Sequence, residues 1–359
     1  MGYSPLKPDD ARRRGLNALK QVLKQLGVAL AGSPVGRRLL LQGHPPIVPV
    51  FMLHRFATPD GTVSGHSPGF VADVLRYLRR SGFEVMSIDG IVEGLLGAGL
   101  PRGAVAFTID DGYWDQGHLG AEIFLEQGCP VTFYLTTKFI DGNFWLNDAK
   151  VRYLFSQISN RFSLVLGGQS LAVSPGDRVS YGRARRNLMF ELKALPLEQA
   201  EERVADLAQS LGIELPDAPP PGYHGLSWDE VVALEKRGVS FGAHTASHVT
   251  LSAESDDVSW REIEESTSAL RQRLKRPSSV FCYPTGRFVD YGPREVGFLR
   301  NLGYRAALAA EPGYSFVDAS PDSRYHLLRF GFPNHMLDVK DIVLQLQRLR
   351  DRARYRAAV

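Results

Sequence analysis

Apolar runs and amphipathic stretches alternate along the chain and predict strands and helices in turn. Residues 47–53 are a short apolar run closed by His54-Arg55-Phe56. Residues 70–80 carry helical periodicity at Phe70, Val74, Leu75 and Leu78, and Gly82 stops them. A strand over 85–88 and a helix over 91–96 follow. Residues 104–109 are apolar without a break, the pattern of a parallel strand covered on both faces. Residues 119–127 read as its crossover helix and 131–135 as the next strand. Beyond residue 223 a helix begins at Ser227, with Glu230 three residues on as in a capping box. Strands over 239–243, 279–283, 305–309 and 327–330 then alternate with helices over 258–273 and 295–302, and a closing amphipathic helix spans 339–349. Such alternation indicates βαβ units and an α/β fold with a parallel sheet or barrel.

Two stretches stand apart from that rhythm. In residues 11–31, Leu16, Leu19, Leu23, Leu26 and Leu30 form one stripe, with Lys20 and Lys24 opposite. This is either a helix docked on the domain or one lying on an anionic membrane surface. Residues 140–223 are too long for a loop without structure of its own. Helices are expected there over 150–158, 183–195 and 197–211, with a hairpin over 162–173 around Gly167-Gly168. A stiff linker containing Pro219-Pro220-Pro221 follows. The expected organisation is a basic N-terminal helix and linker (1–46), a first barrel part (47–139), an inserted, mainly helical subdomain (140–223), a second barrel part (224–338) and a basic C-terminal helix (339–359).

Composition changes this picture little. The 359 residues, 44% hydrophobic, can bury a large core. Lys+Arg 42 against Asp+Glu 39 leaves +3, which gives no global case for nucleic acid. The basic residues do crowd the ends (Arg12 to Arg14, Arg37 and Arg38; Arg348 to Arg356), so peripheral membrane contact through the termini is one reading. Cys129 and Cys282 lie in apolar runs without paired spacing, which fits a reducing compartment. No apolar stretch approaches the ~20 residues of a membrane span, and no signal peptide is read. The expectation is a cytoplasmic protein, either free or held peripherally at the inner face of a membrane, with its oligomeric state open.

The chemistry gathers at two places. Phe107-Thr108-Ile109-Asp110-Asp111-Gly112-Tyr113 ends an apolar strand in two acids and a glycine. Adjacent buried carboxylates raise each other's pKa and are costly to desolvate, and a divalent cation would relieve both. His244-Thr245-Ala246-Ser247-His248 puts two imidazoles four residues apart after another strand. Taken singly, the first is also the composition of an ordinary turn and the second of a capped surface pair. Both fall at carboxyl ends of expected strands, where parallel α/β folds place their sites. Two imidazoles and a carboxylate suit Zn²⁺, and a second carboxylate beside the cation can serve as general base.

These residues resemble the motifs of the polysaccharide deacetylases, carbohydrate esterase family 4. Phe107 to Gly112 resembles the family's first motif, and His244 to His248 its second. Leu53-His54-Arg55-Phe56, Phe281-Cys282-Tyr283-Pro284-Thr285-Gly286 and Gly303-Tyr304-Arg305-Ala306-Ala307 resemble a bacterial branch acting in exopolysaccharide biosynthesis. The resemblance covers roughly residues 47–140 and 224–335. It implies a distorted (β/α) barrel and metal-dependent hydrolysis of an N-acetyl group on an amino sugar, in a polysaccharide, an oligosaccharide or a lipid-linked precursor. The metal would be Zn, with Co, Ni or Mn as alternatives. Asp110 would be the base, Asp111, His244 and His248 the ligands, and the Thr285 backbone N–H an oxyanion donor. Tyr113, Trp145 and Tyr283 are candidates for contacting sugar. The chain departs from the family at Cys282, where many members carry an arginine that orients the base. The usual Leu-x-x-His supplying the acid is not visible, leaving His326, His335 and His54 as candidates. Alternative readings are a same-fold amidase acting on a cyclic amide, and a glycan-binding protein with impaired catalysis.

Overall fold

The computed structural model describes residues 24–33, 47–142 and 144–350. Parallel strands β10 (Phe330–Gly331), β1 (Val50–Leu53), β3 (Ala104–Asp111), β4 (Thr132–Leu135) and β7 (Ser240–Ala243) pair in that order, and β2 (Glu84–Met86) joins the start of β3. Strands β8 (Val280–Cys282) and β9 (Ala306–Leu308) form a second parallel pair. Two local contacts complete the ring. Ser278 N–H donates to the Phe241 carbonyl at 2.7 Å, and Leu308 bridges to Leu327, just before β10. The result is the expected α/β barrel in distorted form, with ladder pairing reduced to local contacts between β7 and β8 and between β9 and β10.

All eight residues of β3 are buried, which explains the apolar side chains from Ala104 to Phe107 and at Ile109. Asp110 and Asp111 are the two that charge makes costly there. The helices form where caps and periodicity coincide. Ser67 caps Pro68–Arg80 by accepting from Phe70 N, and Ser227 and Glu230 form the expected capping box on Trp228–Lys236. The crossover after β3 opens as a π-helical turn, Gln116–Ala121, before Glu122–Glu126. The expected closing helix over 339–349 is two helices, Met336–Val343 and Leu346–Arg350, broken where Gln345 takes φ 56°.

Residues 147–211 supply the helices Asn147–Gln157, Arg178–Leu192 and Leu197–Leu211 and the antiparallel hairpin of β5 (Phe162–Leu166) and β6 (Gln169–Val173). Val151, Leu154, Leu164, Ala184, Leu188 and Val204 anchor a hydrophobic cluster separate from the barrel's.

Residues 24–32 are helical, but the leucine stripe does not dock them. Val28 and Ala31 are buried and Lys24 is paired with Asp338, while Leu26 and Leu30 are 56% and 73% exposed. A one-step rotation accounts for this: the small residues allow close approach and the lysine reaches two buried-side acids. Leu16, Leu19, Leu23, Lys20 and the arginines at both ends, Arg348 and Arg350 apart, lie outside the described residues. Both cysteines are free and buried. No helix among the described residues is long and apolar enough to cross a membrane.

Candidate functional site

The carboxyl ends of β1, β3, β7 and β8 converge on one cavity of about 450 Å³, lined by His54, Asp110, Asp111, His244, His248 and Thr285 among others. Its geometry begins with the turn after β3. Gln116 Oε1 accepts from the N–H groups of Gly112 (2.9 Å) and Tyr113 (3.1 Å), and its Nε2 donates to the Asp110 carbonyl at 2.5 Å. Gly112 takes φ 96°, and a Cβ there would lie 2.6 Å from Ile140 Cδ1. Only glycine satisfies both conditions.

Backbone strain marks the site. Among the described residues five non-glycines have positive φ, and four of them are Asp111 (92°), Thr245 (63°), His248 (57°) and Thr285 (57°). Such conformations cost about 1–3 kcal/mol each and persist where surroundings over-determine them. Those surroundings are visible here. Thr245 Oγ1 accepts from His248 N–H at 2.9 Å, and buried Glu262 accepts from Ser247 N–H at 2.7 Å.

His244 is buried, and its Nδ1 lies 2.8 Å from the Cys282 carbonyl. A carbonyl can only accept, so Nδ1 carries the proton and Nε2 keeps its lone pair toward the cavity. Nε2 of His244 and of His248 stand 3.8 and 3.4 Å from Asp111 Oδ1. These three ligand atoms all lie within 4.8 Å of one another. Asp111 Oδ1 is buried and makes no well-formed hydrogen bond. A buried carboxylate oxygen without a donor, facing two imidazole lone pairs, is the donor set of a divalent cation. Asp110, His244 and Cys282 are also within reach of a shared ion. Their chemistry opposes it: burial pushes the Cys282 thiol well above its ordinary range, so it stays protonated, and Asp110 is already committed.

That commitment is to Arg329. Its Nη1 lies 2.8 Å from both oxygens of Asp110 and 3.0 Å from Thr108 Oγ1, and its Nε donates to the Ala309 carbonyl at 2.9 Å. Both members of the pair are buried. Burial pushes the Asp110 carboxyl up, but Arg329, with His244 and His54 behind it, outweighs burial and holds it below the ordinary value. The Cys282 thiol adds a weak donor 3.7 Å from Asp110 Oδ2. Cys282 does stand where an arginine was expected, yet a guanidinium reaches the same carboxylate from the other side. Arg329 was missed because it is distant in sequence. Its signal is an arginine inside the apolar run Leu327-Leu328-Arg329-Phe330, where a buried charge needs a partner.

The remaining candidates divide. His54 and Thr285 line the cavity. His326 does not: its Nδ1 faces the Tyr291 hydroxyl at 3.1 Å, its ring stacks on Tyr291, and it lines a different hollow with Phe288 and Phe316. His335 is the residue before the helix Met336–Val343 and is also outside. Tyr113 is buried beneath the Arg55 guanidinium, 3.9 Å from its ring, because the Gly112 turn carries it away from the strand end. Trp145 is 4% exposed and packs against Tyr153 and Tyr223, so it forms core rather than a platform at this cavity. Tyr283 borders the cavity but stacks on Tyr291 with ring centroids 3.6 Å apart. Leu146, Met189, Leu192, Lys193, Leu195 and Leu197 line the same cavity, and no local pattern marks them for it.

Burial sets a pH dependence in metal-free protein. It lowers the His244 pKa to about 4, so the folded chain keeps this imidazole neutral while the unfolded chain protonates it near 6.5. Stability should therefore be lost as pH falls from about 6.5 to about 4, by about 3 kcal/mol for this group. Chemical denaturation of chelator-treated protein across that range measures it. A flat profile, or one unaltered in His244→Gln, would contradict it.

A family model described as polysaccharide deacetylase matches residues 98–307, and no curated protein matches the sequence. Several solved structures share the fold. Streptococcus pyogenes deacetylase PplD, in complex with acetate, superimposes with TM-score 0.53 at 16% identity over 81% of this chain and 95% of that one. IcaB from Ammonifex degensii gives 0.53 and 16% over 84% and 98%. A polysaccharide deacetylase from Bacillus cereus gives 0.53 and 14% over 84% and 69%.

Proposed function

Since the chain belongs to the polysaccharide deacetylase family and is thereby a hydrolase of carbon–nitrogen bonds that removes N-acyl groups from glycans, we propose that the cavity around Asp110 and Asp111 is where it does so. The observation that carries this reading is one juxtaposition: a ligand trio with an orphaned carboxylate oxygen beside a second carboxylate held ionised by a buried arginine. Asp111, His244 and His248 would hold the metal, and their mixed nitrogen and oxygen donors favour Zn²⁺, with Co²⁺, Ni²⁺ or Mn²⁺ as competitors. Bound there, the ion would supply Lewis-acid polarisation of the amide carbonyl and acidify water.

The chain's own residues do the rest. Asp110, ionised at neutral pH, takes the proton of the attacking water as its oxygen bonds to the acyl carbon. The Thr285 backbone N–H, presented by its left-handed turn, faces the developing oxyanion, where such a donor is worth about 3 kcal/mol. The C–N bond then breaks, the acyl group leaves as a carboxylate and the amine takes a proton. His54 is the imidazole in the cavity outside the ligand trio, and it supplies that proton. Arg329 fills the base-orienting role that Cys282 cannot, which weakens the case for an impaired, binding-only protein. The chain's place would be exopolysaccharide assembly, acting on a polymer, an oligosaccharide or a lipid-linked precursor. The segment over 140–223 is an inserted subdomain that adds a wall to the cavity.

Acetate release from N-acetylglucosamine oligomers tests this, with and without chelator, alongside elemental analysis. Activity should vanish with chelator and return with Zn²⁺. No release from metal-loaded protein on any acylated amino sugar would end the reading. His54→Ala is expected to lower kcat about 10²–10⁴-fold, the worth of a placed general acid, whereas His326→Ala should change it little. Equal effects of the two would remove His54 from the proton-donating role.

A further inference from the structure

The cavity has two walls of opposite character. The barrel side carries the carboxylates and imidazoles. The other side is supplied by the segment that interrupts the barrel: Met189, Leu192, Leu195, Leu197 and Ala200 give it an aliphatic strip, and Asn147, Asp148 and Lys193 are its polar members. An acylated amino sugar carries hydroxyl groups around its ring; the polar members can meet them, but the aliphatic strip from Met189 to Ala200 offers no hydrogen bonds, so burying hydroxyls against it would be costly. Nor do these side chains present the flat face on which a sugar ring stacks. The wall suits hydrocarbon.

Exposed apolar side chains also follow the cavity-lining residues in the chain. Phe190, next to Met189 on the same helix, is 65% exposed, and the Arg287 guanidinium lies over its ring at 5.2 Å. The two residues after Arg287, Phe288 and Val289, are 50% and 70% exposed. Among the described residues only four other large hydrophobics are this exposed, so three of seven gather where the inserted helix meets the loop after the Thr285 turn. Exposed apolar side chains next in the chain to cavity-lining Met189 and close after Thr285 offer an apolar ligand portion a place to lie once it leaves the cavity.

From this geometry we infer that the substrate is an amphiphile: an N-acylated amino sugar bearing an alkyl chain. The amide faces Asp110 and Asp111, and the chain lies along the aliphatic wall toward Phe190 and Phe288. The inference rests on amide hydrolysis at this site and adds the substrate's class. The hydrocarbon has two sources, a long N-acyl group or a lipid attached at the sugar's reducing end, and a single assay separates them.

Metal-loaded full-length protein is given methyl and octyl glycosides of N-acetylglucosamine, N-acetylgalactosamine and N-acetylmannosamine, and the methyl glycosides of their N-octanoyl counterparts. Each methylene removed from water should raise kcat/KM about fourfold while the wall can cover it. Octyl over methyl glycosides by at least tenfold assigns the chain to the reducing end; N-octanoyl over N-acetyl by as much assigns it to the acyl group. In Met189→Gln and, separately, Leu195→Gln, both half-buried positions, that ratio should fall toward one. Equal kcat/KM across all chain lengths overturns the inference and leaves amide hydrolysis standing. A ratio unchanged in both folded variants removes the wall from it. No hydrolysis of any member overturns the underlying reading instead.

Discussion

Arg329→Met is expected to lower kcat/KM about 10²–10⁴-fold at neutral pH, the span associated with a correctly ionised general base. The side chain touches no part of the ligand trio, so metal should stay bound. Its effect runs through Asp110. With the guanidinium gone, burial remains as the dominant influence on that carboxyl, and burial favours the protonated form. The acidic limb of the pH–rate profile should therefore move to higher pH, and part of the lost activity should return as pH rises. A merely structural role for Arg329 would not shift that limb. Stability should fall as well, by about 3–5 kcal/mol, because removing one partner leaves the other charge buried and uncompensated. The sign agrees with linkage. Asp110 is depressed in the folded chain, so its contribution is full above the unfolded carboxylate pKa and is lost as pH falls through the folded value. Arg329→Lys should recover part of both losses, and Cys282→Ala should cost much less, since the thiol approaches Asp110 only to 3.7 Å. An unmoved pH profile in Arg329→Met, at any level of activity, would separate Arg329 from the base.

The second large effect divides the paired aspartates. Asp110→Asn should lower kcat about 10²–10⁴-fold while bound metal, read by elemental analysis, stays near one per chain. Asp111→Asn should lose metal and activity together, as should His248→Ala. Asparagine is chosen at 111 because it tolerates positive φ about as well as aspartate, and this residue sits at φ 92°. Loss of activity then reports on the ligand oxygen rather than on a refolded turn. Should Asp110→Asn shed its metal, or Asp111→Asn keep it, the division of labour would be reversed.

The chain by itself determined a good deal here. The alternation of runs predicted an α/β fold with a parallel sheet or barrel, and the family resemblance implied the barrel; periodicity is local, since a strand buried on both faces is apolar along most of its length and a helix must repeat near 3.6 residues. The cluster of Asp111, His244 and His248 was equally legible. Asp110-Asp111-Gly112 and His244-x-x-x-His248 each put unusual chemistry at a strand end, and such short motifs keep their spacing whatever surrounds them. Within residues 140–223, the hairpin at Gly167-Gly168 and the helix Leu197–Leu211 also appear as the sequence suggests.

What only the tertiary structure decided concerns partners far apart in sequence. Asp110 and Arg329 are separated by 219 residues, and nothing in either neighbourhood names the other. Both Arg329 and His54 even lie outside the stretch that matches the family, residues 98–307. The three candidate histidines, His54, His326 and His335, look alike in sequence; only the path of the chain sends the first into the cavity and the other two away from it. The same holds for aromatics. Tyr113 ends the first reactive motif and Trp145 follows the next strand, but both are turned into the core, while Leu195 and Met189, unremarkable in sequence, face the cavity. Secondary structure is written in nearest neighbours, so it can be read locally. A site's electrostatic balance and its walls are set by the closure of the barrel and the docking of the insertion, which bring together residues whose local patterns carry no record of one another.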